Sequence, residues 1–550
     1  MAEAVDFARV FAPLDLLMQA RRGPAAYYVP LLRMDDEIVR FGAFCQALSL
    51  GVLPPERGEE AIALASSLAI KQRAFEYFKS GLDFGSAERV ARTVVADPDP
   101  ALSDAMLAQL GSDHAGVLKG AVARFRSTGS IGDLMRAGRA AEGEAGWRPA
   151  VDWLVRAAAI APLDPAAFYE LYVMLTDANQ FDAVDRLGRL LGKAGLHPYL
   201  VGVFGAAAKL GRGDAKGAAR ELQAMAPTRD ANSPAVKNAR GYALQTLGNA
   251  LDRLGQFREA HAAFVEMNKH DLSADIDPKQ AIEAAKELAG ITVPTLPPAR
   301  GDVLIMLGFP RSGTTLLEVA LGAHPAIDAF EEPIALDVAM AEVSAARRGG
   351  RGSDAAVFVS AQRRYYAELE RLRRKPEATL LIDKYPLRGL QAKFVSRLLP
   401  EQRYVFCFRH PYDVVLSCFR QRFTANPGME NFREWKSALA FYDFVMTQWF
   451  DTHSLDDPRV HYLHYEDLVT SFDATIRGVL DFAGIPWDDK VSGFADVANE
   501  KAAMTPSYQK IRRGLSLGVQ TSWQNYRFLF EDPQAAPLRR WAGHFGYPVE

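Results

Sequence analysis

The stretch VLIMLGFPRSGTTLLEVAL, residues 303–321, decides the fold of the second half of the chain. Its apolar start predicts a buried strand, its glycine-bounded centre a loop over 308–313, and its apolar end a helix from Thr314. Such a loop directs backbone N–H groups and a helix N-terminus at one point, which suits a phosphate or sulfate group. Arg311 adds a fixed charge with donors in a fork, and Thr314 and Thr315 add hydroxyls. The stretch therefore predicts an anion site.

This loop differs at one position from the usual nucleotide-phosphate loop, G-x-x-x-x-G-K-[ST]. Position 314 is Thr where that motif has Lys. A phosphotransferase acting on nucleotides is therefore disfavoured, because it would need that lysine and ligands for magnesium.

Short apolar runs of strand length recur in this half of the chain. They are DVLIML (302–307), TLLID (379–383), RYVFCF (403–408) and VHYLHY (460–465). Helical stretches separate them, and strands that alternate with helices predict a parallel sheet covered on both faces. The expected fold here is a P-loop-like, three-layer α/β domain.

Residues 1 to about 290 instead predict an all-α region, with apolar residues three and four apart. The segment YALQTLGNALDRLGQFREAHAAFVEM (242–267) has the pattern of a tetratricopeptide repeat. The position of Ala150 recurs at Val184 and Ala218, in two successive steps of 34 residues, which is the tetratricopeptide period. We expect a helical solenoid; an irregular helical bundle with accidental spacing is the alternative.

The domain bounds follow from these patterns. The segment ITVPTLPPARG (291–301) contains three prolines and cannot continue a helix, so it is expected to be a linker. The predicted divisions are a helical N-terminal region or cap over 1–80, tetratricopeptide-like repeats over 81–290, the linker over 291–301 and the α/β domain over 302–550.

The composition is that of a globular protein. Of 550 residues, 49% are hydrophobic and 24% are charged, which is enough apolar surface for folding. A net charge of −3 gives no general reason to expect nucleic acid or an anionic membrane as partner. The three cysteines lack metal-ligand spacing and favour a reducing compartment. Neither a signal peptide nor a membrane span is expected, so we predict a cytoplasmic protein.

The string PRSGTT carries a family resemblance. It resembles the first cofactor motif, P-[KR]-S-G-T-T, of sulfotransferases that use 3′-phosphoadenosine 5′-phosphosulfate (PAPS). Its arginine looks more like the tyrosylprotein branch, and like bacterial enzymes fused to tetratricopeptide repeats, than like the cytosolic members. The resemblance implies that the following residues hold the 5′-phosphosulfate: Pro310, Arg311, Ser312, Gly313, Thr314 and Thr315. It also implies that Arg311 stabilises charge on the departing phosphate.

A second motif of this family is a strand followed by Arg and, eight residues later, Ser, which together hold the 3′-phosphate. The stretch RYVFCFRHPYDVVLSCFRQRF (403–423) supplies Arg409 at the strand end and Ser417 eight residues on. The carboxyl edge of an open α/β sheet is where ligands bind, so both residues are expected in the site. Arg420 and Arg422 either touch the nucleotide or form a solvated helix face.

A catalytic base is expected in the pair Glu331-Glu332. From the residues alone, an acidic pair before a proline is a favourable first helical turn. In the tyrosylprotein branch, however, His-Pro and then Glu-Glu follow the first motif, and the second Glu is the base; His324 and the acidic pair keep this order. The resemblance therefore makes Glu332 the base, with Glu331 as the alternative, and Lys384 the lysine that stabilises the leaving phosphate.

Two further matches concern the nucleotide. Tyr465 is predicted to end the last strand and resembles the family tyrosine that contacts the nucleotide. The stretch SYQKIRRGLSLGVQTSWQNY (507–526) resembles a late basic loop that closes over the 3′-phosphate. Arg512 is the expected contact there, with Arg513 as the alternative.

Together the matches imply transfer of a sulfuryl group from PAPS to an acceptor hydroxyl, without a metal ion. A solenoid offers a concave surface for an extended chain, so we expect a peptide or protein acceptor, or a protein partner on the repeats. A glycan or a lipid head group as acceptor stays open. So does a non-catalytic repeat scaffold with a vestigial nucleotide site.

Overall fold

The computed structural model describes residues 6–17, 24–31, scattered positions between 34 and 50, 114–225, 233–271, 275–348, 350, 354–493 and 522–549. Packing divides the chain into two compact units, with the main boundary between Leu254 and Gly255. The first unit is helical and the second contains a parallel sheet, so the predicted order of an all-α region followed by an α/β domain is confirmed.

The first unit consists of helices over its described residues. They are α1 (Phe7–Val10), α2 (Pro24–Leu31), α3 (His114–Thr128), α4 (Ile131–Ala145), α5 (Trp147–Ile160), α6 (Pro165–Asp177), α7 (Phe181–Ala194), α8 (Pro198–Gly211), α9 (Ala215–Ala224) and α10 (Pro234–Arg253). The side chains of Asp164 and Asp214 accept a backbone N–H from the first turn of α6 and α9, which fixes where these helices begin. Most of the predicted cap, 1–80, lies outside the described residues.

The second unit begins with two helices, α11 (Phe257–Asp271) and α12 (Lys279–Ala289), followed by the segment 291–301. The sequence pattern groups these helices with the repeats and predicts a linker over 291–301. The segment has no regular secondary structure, but Ile291 and Leu296 are buried in the core of the second unit. Burial of these two apolar side chains holds the proline-containing segment against the domain.

Five parallel strands form the sheet of the second unit. They are β1 (Val303–Gly308), β2 (Ile327–Glu331), β3 (Leu380–Lys384), β4 (Arg403–Phe408) and β5 (Val460–His464), in the order β2-β3-β1-β4-β5. All six residues of β1 are buried, as expected for a central strand of a parallel sheet. The sequence pattern does not predict β2. It also predicts that the last strand extends to Tyr465, which instead begins the next helix.

Helices follow the strands of this sheet. They are α13 (Thr314–Gly322), α14 (Ala335–Arg348), α15 (Ala355–Leu372), α16 (Ala392–Leu398), α17 (Pro411–Phe419), α18 (Trp435–Phe450), α19 (Tyr465–Thr470), α20 (Phe472–Ala483) and α21 (Ala536–His544), with 3-10 turns that include Ser522–Leu529.

The strand register brings the carboxyl ends of the strands to one edge. Glu331 on β2 lies beside Lys384 on β3, and Gly308 on β1 lies beside Cys407 on β4. The residues that follow each strand therefore converge on the edge where open α/β sheets bind ligands.

Candidate active site

The loop between β1 and α13 is tightly constrained at two residues. Arg311 (φ +74°) and Gly313 (φ +99°) both adopt left-handed backbone conformations. A Cβ added to Gly313 would lie 2.6 Å from Cδ2 of Tyr465, so both conformation and space require glycine where the loop enters the helix. Thr314 and Thr315 are buried in the first turn of α13, as the motif predicts for a helix N-terminus at the site.

Both cofactor motifs predicted from the sequence meet at Arg311. Its Nε donates a hydrogen bond to Ser417 Oγ at 3.2 Å, and its carbonyl oxygen accepts one from Arg409 Nη1 at 3.2 Å. The Arg409 guanidinium lies 4.7 Å from the centre of the Tyr465 ring, within the range of a cation–π contact. These four side chains, from four separate elements of the chain, form one cluster beside the loop.

This cluster concentrates positive charge in a desolvated place. Burial lowers the pKa of the Arg311 guanidinium, and the like charge of Arg409 acts in the same direction. An anion bound at this point would relieve that repulsion and accept hydrogen bonds from the donors of the loop. The electrostatics therefore suit a phosphate or sulfate group.

A second cluster lies at the ends of β2 and β3. Lys384 Nζ is 3.3 Å from Glu331 Oε1 and 3.7 Å from Glu332 Oε1. Successive side chains of a strand point to opposite faces, so Glu331 and Glu332 would point apart if the strand simply continued. Glu332 has a left-handed backbone (φ +48°) and donates its N–H to the Lys384 carbonyl at 2.7 Å, which turns both carboxylates toward one ammonium group.

The Lys384 ammonium is held in its charged form. Its side chain is fully buried, which by itself would lower the pKa, but the carboxylates of Glu331, Glu332 and Glu318 outweigh burial and raise the pKa of Lys384. Glu318, on α13, is itself completely buried. A buried, charged lysine at a sheet edge can stabilise negative charge that develops on a leaving group.

His324 has a structural role in this arrangement. It is buried; its Nδ1 accepts the N–H of Ala326 at 3.0 Å, and its Nε2 lies 2.9 Å from the Pro486 carbonyl. The His-Pro step of the motif thus fixes the turn that leads into β2. By that route it sets the position of the acidic pair.

The structure therefore groups the residues selected from the sequence into two clusters that flank the end of β1. One contains Arg311, Arg409, Ser417 and Tyr465, and the other contains Glu331, Glu332 and Lys384. Pro310 and Ser312 are buried within the loop itself, and the Pro310 carbonyl accepts a hydrogen bond from Cys418 Sγ at 3.3 Å. Arg512 and Arg513 lie outside the described residues.

Residues 304–489 match the model of a sulfotransferase family. The match covers both clusters. Across the described part of the chain, no group of three or more His, Cys, Asp or Glu side chains is arranged to hold a metal ion.

Relatives of the chain include protein-tyrosine sulfotransferases. Protein-tyrosine sulfotransferase A of Caenorhabditis elegans is 27% identical over 197 residues, which cover 34% of this chain and 50% of that protein. An uncharacterized protein of Aquifex aeolicus is 24% identical over 324 residues, covering 54% of this chain and 41% of that protein. The chain thus spans about half the length of the curated relatives it matches. A solved sulfotransferase domain of the Synechococcus olefin synthase is 20% identical, with a TM-score of 0.32, over 47% of this chain and 99% of that one.

The α/β domain also has a buried contact that the sequence pattern does not predict. Asp413, in the first turn of α17, accepts hydrogen bonds from Ser522 Oγ and from the Trp523 N–H, both at 3.0 Å. The Trp523 ring stacks on His410 at 5.0 Å, next to Arg409 in the chain. The C-terminal segment is thereby fixed beside the predicted 3′-phosphate anchors. An acidic residue in the first turn of a helix is too common to reveal such a contact.

Proposed function

We propose that this protein is a sulfotransferase that moves a sulfuryl group from PAPS to an acceptor hydroxyl. The observation that carries the proposal is the direct contact of the two cofactor motifs, in which Arg311 bonds Ser417 and Arg409 bonds the Arg311 carbonyl. Residues 311, 409 and 417 are far apart in the sequence, yet their polar groups meet beside the loop. A donor with a phosphosulfate at one end and a 3′-phosphate nearby would account for both arginines, Arg311 and Arg409.

In the proposed reaction the acceptor oxygen attacks sulfur in line with the departing phosphate. A new S–O bond forms to the acceptor, and the bridging S–O bond breaks with its electron pair leaving on the 5′-phosphate. Glu332 takes the acceptor proton, while Lys384 and Arg311 stabilise the charge on the leaving group. Arg409 and Ser417 hold the donor in position rather than react.

The two glutamates differ in a way that favours Glu332 as base. Glu331 is closer to the Lys384 ammonium and only 12% exposed, whereas Glu332 is farther and 39% exposed. A base must be within hydrogen-bond reach of an incoming hydroxyl, which the more exposed carboxylate satisfies. We therefore assign Glu331 as the partner that holds Lys384.

Binding of 3′-phosphoadenosine 5′-phosphate (PAP), the expected product, tests the donor site. Calorimetric titration should show binding to the wild type and a loss of at least about 10- to 100-fold in the Arg409→Ala, Ser417→Ala double variant, because charge-assisted hydrogen bonds are removed. Arg371→Ala is the control, since Arg371 pairs with Glu368 on its own helix. No binding by the wild type, or equal binding by the double variant, would contradict the proposal.

The base assignment has its own test. Glu332→Gln should leave PAP affinity within about twofold and lower the rate of transfer by about 10²–10⁴-fold, the usual contribution of a general base. Glu331→Gln serves as the comparison. Retained turnover in the Glu332 variant would move the base elsewhere.

We further propose that the acceptor is a peptide or protein recognised by the helical first unit. Three of its helices begin at Trp147, Phe181 and Ala215, in two steps of 34 residues, which supports tetratricopeptide-like stacking and a concave surface for an extended chain. Labelled sulfate from PAPS should enter material in a lysate that protease destroys. Label that resists protease but yields to glycosidase or to lipid extraction would identify a glycan or a lipid head group instead.

No helix in the described ranges is long and apolar enough to span a membrane. All three cysteines carry free thiols. The free thiols support our proposal of a reducing, cytoplasmic location.

A further inference from the structure

One face of α11 contacts the region of the predicted 3′-phosphate anchor along its whole length. The residues of this face are Phe257, His261, Phe264, Asn268 and Asp271, at alternating spacings of four and three that place them on one side of a helix. The family match begins only at residue 304, so α11 lies outside it. The contact partners of this face are nevertheless in α17, in the residues just after it and in the segment Ser522–Leu529.

The ring side chains of this face pack on aromatic residues and on an arginine. Phe257 lies 5.5 Å from the ring of Tyr526, and His261 lies 5.7 Å from the ring of Phe419, measured between ring centres. The Arg420 guanidinium lies 5.0 Å from the Phe264 ring. These contacts fix α11 against the C-terminal end of the helix that carries Ser417.

The polar part of this face completes the end of that helix. Asn268 is fully buried, and its Nδ2 donates a hydrogen bond to the Phe419 carbonyl at 2.8 Å. Phe419 is the last residue of α17, where carbonyl groups lack partners within the helix. Asn268 of α11 therefore caps the C-terminal end of α17.

An ion pair extends the contact beyond the end of α17. Arg422 donates to both carboxylate oxygens of Asp271, with Nε at 2.5 Å and Nη2 at 3.2 Å, and both side chains are largely buried. Arg422 is thus engaged by α11 and is not a solvated helix residue. Removal of one partner of a buried ion pair is strongly destabilising, because it leaves an uncompensated charge in the interior.

We propose that α11 is a positioning element of the nucleotide site, with Asn268 and Asp271 as positioning residues for Ser417. Asn268 caps the end of α17 at Phe419, two residues beyond Ser417, and Asp271 pairs with Arg422 just after that end. Ser417 in turn accepts a hydrogen bond from Arg311 Nε. Loss of the cap and the ion pair frees the last turn of α17 and weakens the 3′-phosphate anchor. This inference rests on the proposed function, because it assumes that PAP binds there.

The test is calorimetric titration of the full-length chain with PAP. Asp271→Ala and Asn268→Ala should each raise Kd about 3- to 30-fold, the range found for residues that modulate a site without contacting the ligand. The binding stoichiometry should stay at the wild-type value. Lys269→Ala is the matched control, because Lys269 is exposed and pairs with Glu266 on the same helix; its Kd should be unchanged.

A separate pair of variants shows whether Asp271 acts through Arg422. Arg422→Gln should weaken PAP binding, and its addition to Asp271→Ala should cause no further loss. Asp271→Ala already removes the ion pair with Arg422, together with the longer contact of 3.9 Å between Asp271 Oδ2 and Arg433 Nη1. If Asp271→Ala does not fold, Arg422→Gln and Asn268→Ala carry the test.

The outcomes separate this inference from the proposed function. A wild-type chain that does not bind PAP refutes the proposed function itself. A wild type that binds, with Asn268 and Arg422 variants of unchanged Kd, overturns the role of α11 alone. Unchanged Kd with reduced stoichiometry also overturns it, since that result describes a fraction of unfolded protein and not a repositioned site.

Discussion

Replacement of Lys384 by methionine should separate the proposed catalytic role of this residue from its structural role. Methionine keeps a similar length and volume but removes the ammonium group. In the wild type, Nζ lies 3.3 Å from Glu331 Oε1 and 3.7 Å from Glu332 Oε1. With an effective dielectric constant of about 20, the shorter contact corresponds to about 5 kcal/mol of attraction before the desolvation of both groups is subtracted.

We expect Lys384→Met to lower the free energy of unfolding by about 3 kcal/mol, the low end of the range for removing one partner of a buried ion pair. The low end applies because Glu332 is 39% exposed and water can solvate its carboxylate. Turnover should fall about 10²–10³-fold, as for other groups that stabilise transition-state charge. Guanidinium unfolding measures the first effect, and labelled-sulfate transfer at saturating donor measures the second.

The double variant Lys384→Met, Glu331→Gln is the matched control. It removes the carboxylate left nearest to the lost ammonium, so part of the stability should return while turnover stays low; Glu318 and Glu332 keep their charges. Near-wild-type turnover in the single variant would refute the leaving-group role of Lys384. A double variant no more stable than the single one would refute the ion-pair explanation of the stability loss.

Two further predictions concern the loop and a buried histidine. Gly313→Ala should weaken PAP binding and lower the unfolding free energy by at least about 1–2 kcal/mol, because alanine is strained at φ +99° and its Cβ would lie 2.6 Å from the Tyr465 ring; calorimetry and chemical unfolding check this. Burial lowers the pKa of His453 although Asp457 is hydrogen-bonded to it, so protonation favours the unfolded chain and stability falls as pH drops below about 6.5. His453→Gln should make this fall shallower in unfolding midpoints measured from about pH 7.5 to 5.5, and equal slopes would contradict the assignment.

The sequence allowed prediction of the central strands because their burial is nearly continuous. β1 and β4 are apolar along almost their whole length, and each is followed by a motif with an unusual composition, so their position and direction could be inferred. The convergence of Arg311, Arg409 and Ser417 then followed from the rule that ligands bind at the carboxyl edge.

Strand β2 escaped prediction because its short sequence, IDAFE, includes a charged residue in the middle of a buried run. Asp328 is buried, and its carboxylate accepts the N–H groups of Arg374 at 2.6 Å and Lys375 at 2.9 Å. These partners are more than 40 residues away, so no local pattern reveals that the charge is satisfied. For the same reason Glu331 was expected before a helix and not at the end of a strand.

The grouping of α11 also depends on long-range partners. The small residue Ala260 followed by the large Phe264 predicts close helix packing, but it does not specify which helix is the neighbour. Asn268 and Asp271 are unusual on a packed face, and their partners in and beyond α17 explain them. Periodicity identified the helix, whereas buried polar groups identify where it docks.

The left-handed backbone of Arg311 and Glu332 has a consequence for selection. Each such residue costs about 1–2 kcal/mol relative to an ordinary conformation. Glycine would remove that cost at either position while deleting the guanidinium or the carboxylate. Directed evolution that rewards heat resistance alone should therefore enrich glycine at these two positions, together with the loss of the guanidinium or the carboxylate. Selection for stability should thus also score the proposed sulfuryl transfer in the same round.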